Sequence, residues 1–337
     1  MKIGIIRLSS LGDVVLATAV LKPLREAYPG SEIVFVVRSE YVEVFMNNSY
    51  LSRVVEWKKG SSFKALLTAV REERFDVLID LHSNVRSHWI TAVSGAGRII
   101  RYKKSHVSRR LSLLRKSKPR KRHVVDRYLD VIGFLGVKNP AGAPAMYPGM
   151  DDMLWAETFL KKRGYSGGLL IGIAPGARRM TKMWPAEKYW SVAKSLISSK
   201  GASVVMVGDG GDVETAVEVL QKSPAVMDAV GATDLVKLAA LLSRCDVVIS
   251  NDSAPTHIAV AVGTPVVTIF GPTIEEFGFA PYGENNLTVS TELYCRPCSL
   301  HGTDTCPEGH FRCMKEIRWE EVYQGVEKLL NESEGAR

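Results

Sequence analysis

A strand–loop–helix alternation runs through this chain twice, with a break between the two passes, and it constrains the fold more than any other feature. Strand-like runs lie at Lys2–Arg7, Ile33–Val37, Val54–Trp57, Asp76–Asp80 and Arg98–Tyr102. Helical spacing separates them at Asp13–Tyr28, Tyr41–Met46, Phe63–Arg74 and Arg86–Val93, and another helix falls near Val125–Leu135. Ile33–Val37 is apolar throughout, as expected of a strand buried on both faces. Such alternation predicts a parallel sheet covered by helices on both sides. From Asn139 to Gly149 there are three prolines and two glycines, which sustain neither a helix nor a central strand.

After this break the pattern restarts. Strands are predicted at Leu169–Ile173, Ser203–Val207, Asp246–Ile249 and Pro265–Ile269. Helices are predicted at Met153–Lys162, Pro185–Ser199, Val213–Gln221, Leu235–Leu242, Thr256–Val262 and Trp319–Leu330. The reading is an α/β protein of two Rossmann-like, doubly wound domains, residues 1–150 and 151–337, whose last helix is free to pack back on the first. Ligands bind at the carboxyl ends of parallel strands, so the site is expected in a cleft between the halves.

A length of 337 residues suits two domains. With 46% apolar and 24% charged residues, wholesale disorder is excluded. The apolar run at the start is broken by Arg7, which does not suit a signal peptide. No stretch of about 18 apolar residues exists to span a bilayer. The expected location is cytoplasmic.

Net charge is +8, and one segment explains it. Arg98–Arg122 holds 12 Lys and Arg and no Asp or Glu, so 44 basic residues less these 12 leave 32 against 36 acidic ones. The patch points to one polyanionic partner. Leu111, Leu113 and Leu114 interrupt it, which suits a membrane interface. A nucleic-acid reading expects aromatic residues between the charges, and only Tyr102 is there.

Four loops carry candidate chemistry. In Arg7-Leu8-Ser9-Ser10-Leu11-Gly12-Asp13, Asp13 sits at the first turn of a helix. It is either a helix cap or a general base, and a base is expected to have its pKa raised toward working pH. In Ala174–Pro185, Gly176 permits close approach, Arg178, Arg179 and Lys182 bring positive charge for a diphosphate leaving group, and Trp184 is placed to anchor the loop. Val248–Ala259 is an apolar strand ending in Ser250-Asn251-Asp252-Ser253, with a helix following at once and His257 on its first turn, an arrangement that suits an anion. Val207–Asp212 with Glu214 is either a ribose-binding turn or a plain glycine-rich one. No dinucleotide or P-loop fingerprint is present.

These loops together resemble the ADP-heptose:lipopolysaccharide heptosyltransferases of glycosyltransferase family nine, and the second-heptose branch more than the first. Gly12-Asp13, Pro175-Gly176-Ala177 with Lys182-x-Trp184-Pro185, and Asn251-Asp252-Ser253-x-x-x-His257 carry the likeness. The resemblance implies a GT-B fold, an acceptor-binding first domain, a donor-binding second domain, and an inverting mechanism with no required metal or cofactor. By it Asp13 is the base and Lys182 acts at the donor phosphates. Gly176, Ala177, Arg178, Gly208, Glu214, Asp252, Ser253, Ala254 and His257 join Lys182 in binding ADP-heptose. Ala254 stands where the family often has Gly. Gly12, Arg101, Lys103, Lys104, Arg109 and Arg110 are the expected acceptor contacts, for an acidic lipopolysaccharide inner core at the cytoplasmic face of the inner membrane. The rival within the same fold is a transferase using another nucleotide sugar or acceptor.

Cys295-x2-Cys298-x7-Cys306-x6-Cys313, with His301 and His310 nearby, leaves three states open: a structural metal, disulfides or free thiols.

Overall fold

The structure, a computed structural model, describes residues 1–103, 110, 112–114, 122–222 and 225–335. It divides into two compact units, the first holding the first sheet and Val124–Tyr147, the second beginning a new run at Pro148.

The first unit is built on β1 (Lys2–Ile6), β2 (Glu32–Arg38), β3 (Arg53–Trp57), β4 (Val77–Asp80) and β5 (Arg98–Arg101). They lie in the order β3-β2-β1-β4-β5, every pair parallel. The sequence predicts one helix over Asp13–Tyr28, but the chain forms α1 (Leu11–Ala17), a 3-10 turn at Thr18–Val20, and α2 (Leu21–Ala27). Pro23 is the reason. A proline inside a continuous helix lacks its N–H and clashes with the preceding turn. Restarting at Leu21 puts Pro23 in a first turn, where no N–H is needed. The segment at Tyr41–Met46 is also 3-10, over Ser39–Phe45.

The second unit carries β6 (Leu170–Ala174), β7 (Ser203–Met206), β8 (Val226–Asp228), β9 (Val247–Asn251), β10 (Val266–Phe270) and β11 (Asn286–Ser290). Their order is β11-β10-β9-β6-β7-β8, again all parallel. The two edge strands, β8 and β11, have no counterpart in the sequence reading. β8 has only three residues, and β11 is half-buried and half polar, so neither shows the apolar run of a central strand. The last helix, Trp319–Gly335, buries Val322, Val326 and Leu329 in the second unit's core.

Each sheet has a switch point, where successive connections leave to opposite sides and open a crevice at the strands' carboxyl ends. In the first sheet β1 has β2 on one side and β4 on the other; in the second, β6 has β7 on one side and β9 on the other. The loops that follow β1 and β6 therefore start at these crevices. They are the loops with Asp13 and with Gly176–Lys182. Among the described residues no helix is long and apolar enough to cross a membrane.

Candidate active site

The first centre follows β1. Asp13 is the third residue of α1, and its carboxylate turns back to the residue before the helix. Asp13 Oδ2 accepts from Ser10 Oγ at 2.8 Å and from Ser10 N at 3.4 Å. Its other oxygen meets Arg7 Nη2 at 2.6 Å. Arg7 is buried, donates to Leu81 O at 2.8 Å, and lies 6.0 Å from the Tyr128 ring. Asp13 thus makes a helix-start contact and is also held by a buried cation. The expectation of a raised pKa is corrected here. Burial pushes Asp13 up, but the Arg7 guanidinium and the Ser10 hydrogen bonds outweigh it, and the net direction is down. Asp13 is therefore ionised across the working range, ready to accept a proton. Gly12 is beside it on the same turn, half-buried.

Arg101 and Lys103 lie at and just past the end of β5, both exposed, and Arg101 Nη2 donates to Thr91 Oγ1 at 2.7 Å. Arg110 is exposed. Lys104 and Arg109 lie outside the described residues. Tyr102 is buried, edge-on to Tyr128 at 5.1 Å, and so offers no stacking face to a nucleic-acid base.

The second centre joins the loop after β6 to the end of β9. Lys182 closes the 3-10 turn Met180–Lys182, and its ammonium bonds Asp252 Oδ2 at 2.6 Å and Asp252 O at 2.8 Å. Thr273 Oγ1 donates to the same Asp252 Oδ2 at 2.6 Å. Lysine has three N–H donors, so one remains beyond these two contacts. Ser253 is the residue before the helix Ala254–Ala261, Ala254 is its first residue, and His257 lies buried on its first turn. Trp184 is fully buried and perpendicular to Tyr189 at 4.9 Å, with its indole N–H on Ile317 O at 3.3 Å. It anchors the loop as its sequence position suggests. Truncating a buried aromatic of this kind costs roughly 3–5 kcal/mol.

The three basic residues of this loop part company. Arg179 pairs with Asp304 at 3.0 Å, Arg178 is exposed, and Lys182 is held by Asp252. Ala177 is half-buried between Gly176 and Arg178. At Gly176 an added Cβ would lie 1.9 Å from Asp212 Oδ1, and at Gly208 one would lie 2.8 Å from Asp212 Oδ2. The acid closest to the glycine loop is therefore Asp212, which the sequence reading left without a role. Burial and the neighbouring Asp209 raise its pKa against the hydrogen bond from Asp209 N. Glu214 lies on the helix Val213–Lys222, with its side chain outside the described residues.

Two further side chains and one segment join these centres without having been assigned a role from the sequence. Arg7 had a visible signal, a cation at the very end of a buried strand. Thr273 had none, because its approach to Asp252 depends on β10 lying beside β9. The third set is the cysteine-bearing segment, which packs on the charged loop. Thr181 N and Thr181 Oγ1 donate to Thr303 O at 3.1 and 2.7 Å, and Gly302 lies against Lys182.

No disulfide joins any of the five cysteines. Burial, with the neighbouring Cys298 next, pushes the Cys313 thiol up to about 12, so it stays protonated and unreactive. Cys295 Sγ lies 3.9 Å from His310 Nε2, whereas Cys298 Sγ points to Pro272 O at 3.9 Å. Among the described residues no three His, Cys, Asp or Glu are grouped to hold a metal ion.

The family model for glycosyltransferase family 9 (heptosyltransferase) matches residues 63–308, well over half of the chain. The chain belongs to glycosyltransferase family 9. This family 9 chain is 27% identical over 301 residues to lipopolysaccharide core heptosyltransferase OpsX of Haemophilus influenzae, covering 86% of this chain and 84% of that protein. Among solved structures it resembles the glycosyl transferase family 9 protein of Veillonella parvula, at 25% identity and TM-score 0.83, over 98% of this chain and 97% of that one. It shares its fold with the E. coli ADP-heptose lps heptosyltransferase II, at 21% identity and TM-score 0.77, over 99% and 100% of the two chains. The fold read from the sequence, two Rossmann-like parallel-sheet domains of GT-B type, stands, and so does the reading of the chain as a glycosyltransferase.

Proposed function

We propose that this family 9 enzyme transfers heptose from ADP-heptose to the inner core of lipopolysaccharide, with inversion at the anomeric carbon and no obligatory metal. The observation that carries the donor half is the Lys182 ammonium, held by Asp252 beside the start of the helix Ala254–Ala261 at the β6/β9 switch point. A cation with one N–H to spare and a helix N-terminus are what a departing diphosphate requires, since its negative charge grows as the glycosidic bond breaks. Gly176, Ala177, Arg178, Gly208, Glu214, Ser253, Ala254 and His257 complete the proposed donor contacts. On the other substrate Asp13, ionised and oriented by Arg7, takes the proton of the attacking hydroxyl. Gly12, Arg101, Lys103, Lys104, Arg109 and Arg110 are the proposed acceptor contacts. The basic stretch suits the phosphates and carboxylates of that acceptor and an anionic membrane surface, each basic residue near such a surface adding about 1 kcal/mol.

The direct test is transfer from ADP-heptose compared with UDP- and GDP-sugars. Preference for either of the latter two would replace the donor reading and leave the family standing. Lys182→Ala is expected to lower kcat/KM by about 10²–10³-fold, the usual cost of removing one preorganised electrostatic contact to a developing charge. A loss under about tenfold would remove Lys182 from the leaving group. Dialysis against a chelator is expected to leave the rate unchanged, and a loss restored by divalent metal would contradict the metal-free mechanism.

A further inference from the structure

The motif Asn251-Asp252 puts two polar side chains at the end of β9, and only the second has so far been given a role. Asn251 is completely buried, and its amide is spoken for on both sides. Oδ1 accepts from Trp184 N at 3.2 Å and from Tyr189 OH at 2.9 Å. Nδ2 donates to Pro175 O at 2.6 Å, with Gly176 O at 3.5 Å. These partners are not scattered. Pro175 opens the loop that carries Gly176 to Lys182, Trp184 closes it, and Tyr189 stands on the helix Ala186–Lys200 that follows.

One buried amide therefore ties both ends of the loop to the strand beside it. The next residue, Asp252, adds a further tie through Lys182, two residues before Trp184. A carbonyl buried without a donor is costly, so the Nδ2 contact with Pro175 O fixes where the loop can begin. An apolar residue of similar size at 251 would leave Pro175 O and Tyr189 OH without these partners. A loop held at both ends and at Lys182 before the ligand arrives loses little freedom on binding, which is the advantage of a preorganised site.

We infer that Asn251 is a positioning residue for the proposed donor-diphosphate loop: it sets the Gly176–Lys182 segment in its phosphate-gripping shape without touching the donor. This rests on the donor reading given above. If it holds, Asn251 matters for the β-phosphate of the donor and not for its adenosine.

The test is binding of ADP and of AMP by calorimetry to the full-length enzyme, with thermal unfolding recorded for each variant. The wild type is expected to prefer ADP over AMP by roughly ten- to hundredfold, the range implied by one or two charge-assisted hydrogen bonds to the extra phosphate. Asn251→Ala is expected to reduce that preference by about tenfold, with AMP affinity staying within about twofold. Asn251→Asp keeps the acceptor but sets a carboxylate oxygen against Pro175 O, so it is expected to shift the ratio in the same direction. Tyr189→Phe keeps the ring against Trp184 and removes one hydrogen bond, and a change of about two- to fivefold in the same direction is expected. That variant decides the matter if neither Asn251 variant folds. Equal weakening of ADP and AMP, or an unchanged ratio, would reduce Asn251 to a structural amide and overturn the inference. A wild type that does not distinguish ADP from AMP would instead overturn the donor reading itself, whatever the variants do.

Discussion

Asp13→Asn is expected to lower kcat by about 10²–10⁴-fold, the range over which a positioned general base contributes, while the Kd for ADP stays within about twofold. The amide keeps nearly the shape of the carboxylate and can still accept from Ser10. It cannot take up a proton. Asp13→Ala is expected to abolish turnover with the same preserved affinity for ADP. The separation of the two readouts is the substance of the prediction. Asp13 belongs to the first unit and the proposed diphosphate contacts to the second, so chemistry and donor binding should respond independently. Single-turnover rates with saturating donor, set beside ADP titrations of the same variants, measure both. Equal loss of turnover and ADP affinity would assign Asp13 to the architecture of the enzyme rather than to proton transfer. Turnover unchanged in a folded Asp13→Asn variant would leave the base unidentified.

Much of this site was legible in the sequence because its residues sit on short local signals. Asp13 follows a buried strand by a few residues, and Lys182 and Trp184 share one loop. Asp252 to His257 is a strand end running into a helix start. Periodicity located the central strands to within one or two residues because strands buried on both faces carry uninterrupted apolar runs. It missed β8 and β11, which lie at an edge with only part of their surface covered. What the sequence withheld is what depends on strands far apart in the chain becoming neighbours. Thr273 reaches Asp252 because β10 pairs with β9, and Asn251 reaches Pro175 because β9 pairs with β6. The packing of Thr303 on Thr181 spans more than a hundred residues, with no local pattern to announce it. The direction of the Asp13 pKa was misjudged for a different reason, since its partner Arg7 is only six residues away. A carboxylate near a crevice suggests desolvation, but the sequence did not say that Arg7 would be aimed at it.

That last pair makes the sharpest statement about pH. In the folded protein Asp13 titrates below its ordinary value of 3.8. The stability it contributes is therefore complete above the unfolded pKa and is lost only as pH falls through the lower, folded one. Its ionisation does not limit the rate at neutral pH. Arg7→Met reverses the balance. Without the guanidinium, burial is left as the largest influence, and it pushes the carboxyl up. A carboxyl whose folded pKa lies above its unfolded one destabilises the fold increasingly as pH rises through that range. The variant should thus resemble the wild type most closely in acid and fall furthest behind it at neutral pH. Removing one member of a buried ion pair costs roughly 3–5 kcal/mol, the deficit expected at pH 7. The acid limb of kcat/KM should move upward with the pKa, since Asp13 would have to lose its proton before it could serve as a base. Denaturant unfolding and pH–rate profiles of the two proteins measure these effects separately. A stability deficit that is the same at every pH, with an unmoved acid limb, would show that Arg7 supports the fold through Leu81 and Tyr128 and does not set the charge of Asp13.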